Sequence, residues 1–355
     1  MSSHHPSSLS LVHMRRVLAA LVLVCGCGRQ DAKRTSHTPL LAIEQALAWH
    51  GSVRLEENPS VINVSPRVTP DTRGAFLVTD GQEQQLRFYT SDGHLLGTAG
   101  RRGSGPGEFQ NLTRAVRLRD GSILTADMGG ALTRLDSEGA HVLSIARTGL
   151  LPIYELVVLD DSVVVIIGRK GGRMEGPLLH EWNLATSRIS RSYDLAPQGP
   201  RGFSGAYAFT GFADAAARGD TIAVLFALED TVRLFVRGGR PIGAIPVPFR
   251  GFRPLTTPLD PAAPPDRFQA WIESFSAATD LYWLQDGSFL VQYFDQKRSD
   301  HLFSLLHMSR DGNPVWEVSH TPKLLALTAQ DSLVFVRPGA DAPNEWSIAT
   351  LAGPQ

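Results

Sequence analysis

The residues of this chain able to do chemistry are scattered, so each group is tested against what its reaction would require. Gly103-Ser104-Gly105-Pro106-Gly107 could cradle a phosphate, but a phosphate loop needs a Lys-Ser/Thr pair opening a helix. Here Glu108-Phe109 leads into another strand, so the glycines predict a tight crossing between strands. His94, His141, His180, His301, His307 and His320 occupy no repeated position. His301 alone occupies a loop with acids nearby, Asp295 and Asp300, and it alone invites a metal reading. Asp80 and Asp127 end the equivalent runs LVTD and LTAD, where a carboxylate stabilises the following loop. Neither a Gly-x-Ser-x-Gly elbow nor a His-Glu-x-x-His helix is present, and no catalytic residue, metal or cofactor is assigned. What remains is a set of cations, Arg169, Lys170, Arg173, Arg201, Arg250, Arg253, Lys297 and Arg298. Their chemistry is the capture of an anionic ligand or an acidic partner surface.

The elements that must position these residues are short strands separated by tight turns. Arg73-Gly74, Asp120-Gly121, Asp160-Asp161, Gly219-Asp220, Asp286-Gly287 and Asp331-Ser332 each precede a strongly apolar run such as AFLVTD, SVVVIIG or SLVFVRP. A second series, Asp92-Gly93, Glu138-Gly139, Thr186-Ser187, Gly238-Gly239 and Asp311-Gly312, follows the third strand of each repeat. Repeats of four antiparallel strands need about 40 to 50 residues each, and six fit: an all-β, six-bladed β-propeller. The sixth repeat ends after its third strand, so Val53-Arg54-Leu55-Glu56 is expected to supply the missing outer strand and close the ring. Closure removes exposed sheet edges.

In such blades the short turns share one face, and the longer connections 100–111, 168–178, 197–210, 247–277 and 294–301 share the other. Those connections hold eleven cations against seven anions, which predicts a basic, loop-rich binding face on a rigid scaffold. Within the longest, Phe268, Trp271, Ile272 and Phe275 fall on one face of a helix entered at Pro265, expected to pack over the propeller.

The stretch RFYTSDGHLLGTAGRRGSGPGEFQNLTRAVRLRDGSILTADMGGALTRLDSEGAHVL resembles bacterial six-bladed propellers of the NHL-repeat and TolB-like kind. Gly103 to Phe109, flanked by Asp-Gly turns, carries that resemblance most strongly. The resemblance implies the fold and leaves function open, because this scaffold carries enzymes, ligand binders and assembly platforms. Lactonase-type relatives hold calcium in the central channel with acids and an Asn. A hydrolase or lyase in the channel is therefore the alternative to a binding or scaffold module. The absence of a recurrent His/acid set favours the binding module.

The N-terminus addresses the chain. Arg15 and Arg16 precede the apolar run Val17–Val24, and Val24-Cys25-Gly26-Cys27 resembles the bacterial lipobox. The apolar run is about 12 Å long as a helix, too short for a ~30 Å bilayer core, and has the anatomy of a secretory leader. The expectation is a signal peptide over 1–26 with initiation at Met14, a lipidated Cys27, a flexible tether over 27–50 and a propeller over 51–355. The protein would then be an envelope lipoprotein, partnered with the membrane through its anchor. Loss of Arg15 and Arg16 takes the formal charge from −1 to −3, which gives no reason to expect a nucleic-acid partner. Both cysteines lie in the leader region, so the folded body can form no disulfide.

Overall fold

Turns at regular intervals and strands apolar on both faces dictate radial stacking of small sheets, and that is the architecture. The computed structural model describes residues 38–352 apart from 57–66, 72–73, 146, 173–175, 194–212, 259, 261, 296–302 and 338–343. Six four-stranded antiparallel sheets form a six-bladed β-propeller. Strand β1 spans Leu47–Arg54. Blade 1 comprises β2 (Arg67–Pro70), β3 (Phe76–Asp80), β4 (Gln85–Tyr89) and β5 (Leu95–Ala99). Blade 2 holds β6 (Leu112–Arg117), β7 (Ile123–Asp127), β8 (Leu132–Leu135) and β9 (His141–Ile145). Blade 3 is β10 (Leu150–Val158), β11 (Val163–Lys170), β12 (Leu179–Asn183) and β13 (Arg188–Tyr193). Blade 4 is β14 (Ala213–Arg218), β15 (Thr221–Phe226), β16 (Thr231–Val236) and β17 (Pro241–Pro246). Blade 5 is β18 (Ser276–Trp283), β19 (Phe289–Asp295), β20 (Phe303–Met308) and β21 (Pro314–Thr321). Blade 6 joins β22 (Leu324–Leu327), β23 (Leu333–Val336) and β24 (Glu345–Leu351) to β1.

Burial follows the radius. The second strands β3 and β11 are buried along nearly their whole length, whereas the outermost strands β9 and β17 are almost wholly exposed. Each neighbouring pair of blades encloses its own apolar cluster. Leu77 and Leu86 of blade 1 and Phe109 of the following crossing meet Leu112 and Ile123 of blade 2, and Val165 and Ile167 of blade 3 meet Val224 and Phe226 of blade 4. The core is thus a ring of six interfaces around a central channel.

Ring closure by the N-terminal strand is as expected. Strand β1 pairs antiparallel with β24 from Leu47↔Leu351 to Arg54↔Glu345. It begins earlier than the four residues the sequence pointed to, and the expected tether over 27–50 is corrected at its C-terminal end. Thr38 is buried, Leu41 N–H donates to the Glu317 carbonyl, and Glu317 N–H donates to that of Pro39, both at 2.9 Å. Helix α1 (Ile43–Ala46) then turns the chain into β1. Thr38 to Ala46 are docked because Ala46 and Leu47 fill a pocket between blades 5 and 6.

The Gly103–Gly107 loop is the crossing that its composition predicted. Glu108 receives Gly105 N–H at 2.8 Å and Arg101 at 2.7 Å. Gly100 has φ +79°, and a Cβ there would lie 2.2 Å from the Phe109 ring. Trp271 of helix α2 (Pro265–Ile272) and Phe275 just beyond it pack with Leu228 and Leu255, while no residue of the helix itself is buried.

Candidate functional site

The innermost strands of blades 1 to 5 each carry an acidic or basic residue to the wall of the channel, and blade 6 has a lysine just before its inner strand. These are Arg67, Arg114, Glu155, Asp214 and Asp280 in blades 1 to 5, with Lys323 at the entry to β22 in blade 6. Each lies three or four residues before the turn-side end of its inner strand, so all six sit at one level. Around the ring, blades 6, 1 and 2 contribute the cations and blades 3, 4 and 5 the anions. The channel is therefore lined by two opposed arcs of charge.

A cavity of about 300 Å³ opens at this level. Its wall includes Arg67, Arg114, Glu155, Asp214, Asp280 and Tyr282, with small residues such as Ala216 between them. The Arg67 side chain is 40% exposed although blades surround it, so the cavity is in contact with solvent.

Two ion pairs organise the ring. Arg67 Nη1 reaches across to Asp280 Oδ1 at 3.0 Å, and Arg114 Nε meets Glu155 Oε2 at 2.7 Å. Asp280 Oδ2 accepts from Gln292 Nε2 at 2.7 Å, and Gln292 also binds both backbone groups of Leu324. Asp214 Oδ2 accepts the Leu281 N–H at 2.6 Å, and the Tyr282 hydroxyl donates to the Leu324 carbonyl at 3.2 Å.

Burial and neighbouring charge then set the protonation. Burial opposes the ionisation of Asp280, but Arg67 and Lys323 outweigh it and hold the carboxyl below its usual range. Asp214 goes the other way. Burial, and then Glu155 and Asp280, push it well above the carboxylate range. Tyr282 is pushed well above an ordinary phenol by burial and by the two aspartates, while burial draws the Lys323 ammonium down. These are the three ways an environment moves a proton equilibrium, acting on one small ring.

Of the cations singled out from the sequence, the four that are described, Arg169, Lys170, Arg250 and Arg253, do not line this cavity. Arg169 lies 5.3 Å from the Tyr154 ring centroid, and Lys170 is exposed at the end of β11. Arg250 gives its backbone N–H to Glu317 at 2.9 Å and its guanidinium to the Thr38 carbonyl at 2.5 Å. Arg253 reaches the carbonyls of Glu273 and Phe275 at 3.4 and 3.3 Å. Three of these four thus make contacts within the fold. Arg173, Arg201, Lys297, Arg298 and Cys27 lie outside the described residues, as do Asp300 and His301. Asp80 and Asp127 stabilise loops as expected. Asp80 accepts from Gln82 and Glu83, and Asp127 from Gly129, Gln110 and Asn111. Among the described residues, no three His, Cys, Asp or Glu side chains converge as a metal site.

The ring was the feature the sequence reading missed, although a signal for it exists. A charged residue precedes the second residue of each a–b turn by six to nine positions: Arg67 before Gly74, Arg114 before Gly121, Glu155 before Asp161, Asp214 before Asp220, Asp280 before Gly287 and Lys323 before Ser332. Aligning the repeats on their turns brings these residues close but not into one column, because the offset varies from six to nine.

No protein-family model and no curated protein matches the chain. Solved structures match it as folds. A member of the DUF4221 family from Bacteroides vulgatus is similar at a TM-score of 0.58 and 9% identity, over 87% of this chain and 98% of that one. A protein from Bacteroides fragilis described as exported gives 0.60 and 10%, over 89% and 97%. The WD40 repeats of RRP9 give 0.53 and 11%, over 87% and 99%. At these identities the likeness is one of architecture.

Proposed function

We propose that this protein is a binding module of the bacterial cell envelope, and that its ligand enters the central channel. The observation that carries this reading is the solvent-connected cavity on the axis, lined by the ionisable side chains of Arg67, Arg114, Glu155, Asp214 and Asp280. A propeller closed purely for stability gains nothing from ionisable groups at its axis, because burying charge is costly even when paired. At about 300 Å³ the cavity lies at the small end of ligand sites. The leader-like N-terminus, the lipobox-like Val24–Cys27 and the likeness of residues 87–143 to NHL-repeat propellers support export and anchoring through Cys27. Binding rather than turnover is favoured because the described channel wall holds no Ser, Cys or His from which a nucleophile–base pair is commonly built.

Filling the cavity tests the reading. Ala216 lines the channel and belongs to no inter-blade cluster, so Ala216→Leu should occupy space without disturbing the core. A panel of small amines, carboxylates, amino acids and sugars is screened by thermal shift on the native chain and on this variant. The expected result is at least one compound that raises the melting temperature of the native protein and leaves Ala216→Leu unmoved. Compounds that stabilise both proteins equally would place binding outside the channel.

A further inference from the structure

Five acidic or basic side chains line the channel cavity: Arg67, Arg114, Glu155, Asp214 and Asp280. Four of them satisfy one another. Arg67 pairs with Asp280 at 3.0 Å and Arg114 with Glu155 at 2.7 Å, which leaves Asp214 over. Among the described residues Asp214 has no ion-pair partner, and its carboxyl accepts one hydrogen bond, from the Leu281 N–H to Oδ2. Lys323 does not alter this balance, because it is not part of the cavity wall and its charge acts on Asp280. Between the charged groups the wall is largely apolar, with Val68, Ala216, Leu325 and Ala326 among its residues. We infer that the channel takes a small organic cation, a primary ammonium group on an apolar tail, whose ammonium docks on Asp214 Oδ1. This rests on the channel being the ligand site.

The wall selects this class of ligand over its rivals. Two cations stand against three acids, so one positive charge completes the balance. An anion would reach Arg67 or Arg114 only by breaking a pair, and would strand Asp280 or Glu155 in a partly buried site. Among the described residues no three His, Cys, Asp or Glu side chains converge as a metal site, and apolar wall residues offer a bare ion nothing, whereas they receive an alkyl tail. A guanidinium prefers both oxygens of a carboxylate; Leu281 already occupies one, which leaves a single-point acceptor suited to ammonium. The groups facing Asp214 act in the same sense. Burial, then Glu155 on β10 and Asp280 on β18, favour its proton, and Arg67 on β2 opposes them. Tyr282 on β18 also faces it, and β15 beside it carries no titratable residue. An ammonium that docks there takes the place of that proton.

The test is calorimetry on the full chain with butylamine, butyrate and butanol, tails of one length that end in a cation, an anion and a neutral group. Butylamine is expected to bind about tenfold or more tightly than either of the others. Asp214→Asn, which keeps an acceptor for the Leu281 N–H, should bring butylamine down to the affinity of butanol. On the native chain the amine should also release a proton at neutral pH, read as a binding heat that varies with the ionisation heat of the buffer. Butyrate or butanol binding as tightly as butylamine, or no binding of butylamine, overturns the inference. So does amine binding that Asp214→Asn leaves unchanged or that releases no proton. If butyrate or butanol binds best and is lost in Ala216→Leu, the channel reading stands without the cation. Binding of any probe that persists in Ala216→Leu overturns the channel reading itself.

Discussion

Asp214 accepts a backbone hydrogen bond yet faces Glu155 and Asp280, and its proton is held by that company. A carboxyl whose folded pKa is raised contributes stability that is complete below the ordinary carboxylate range and is lost as pH rises toward the folded value. Asp280, held down by Arg67 and Lys323, has the opposite sign: its contribution is present above the ordinary range and is lost as pH falls through its folded value. The two therefore tilt the stability curve in different windows, Asp214 above pH ~4 and Asp280 below it. Asp214→Asn removes a group that resists ionisation. Its urea midpoint is expected to exceed that of the native chain near pH 8 and to converge with it near pH 4. A variant that is equally shifted at both pH values would show that the effect is packing rather than proton linkage.

At the scale of elements, the inner strands are held in register by side chains that reach between blades. Gln84 of blade 1 accepts Leu112 N–H at 2.6 Å, and Gln292 of blade 5 accepts Leu324 N–H at the same distance. Each thereby fixes where the next inner strand starts. Gln292→Leu strips Leu324 of two buried partners and Asp280 of one, and should cost about 3 kcal/mol in denaturant unfolding; a loss under 1 kcal/mol would mean the amide is dispensable. The strands themselves were legible because turn residues and β-branched runs report local geometry: Asp-Gly turns and SVVVIIG can hardly be read otherwise. The ring was not. Arg114 in LTRAVR and Asp214 in ADAAAR look like residues on the solvated side of a strand, and only the radial arrangement of blades turns that side toward an axis. Two of the loop cations show the converse. Arg250 and Arg253 are basic residues in a long connection, but carbonyls that only tertiary structure brings near absorb them.

For the whole molecule, closure depends on residues before the first complete blade. Two truncations separate the docked segment from the closing strand. Deleting the residues before Leu47 removes the contacts of Thr38 to Ala46 with β21 and Arg250, so the chain should remain folded and unaggregated, with a lower melting temperature. Deleting through Arg54 uncovers the whole edge of β24, and size-exclusion chromatography should then show aggregates or exchanged strands. A folded monomer after the second deletion would show that three strands suffice for blade 6. The same closure sets a schedule for the chain. Position 47 pairs with position 351, so the first strand to be synthesised is among the last to be placed. A chain that stops after blade 5 never presents β24, and its β1 stays an unpaired edge. Completeness is thereby checked by the fold itself, because only a finished chain can hide its beginning.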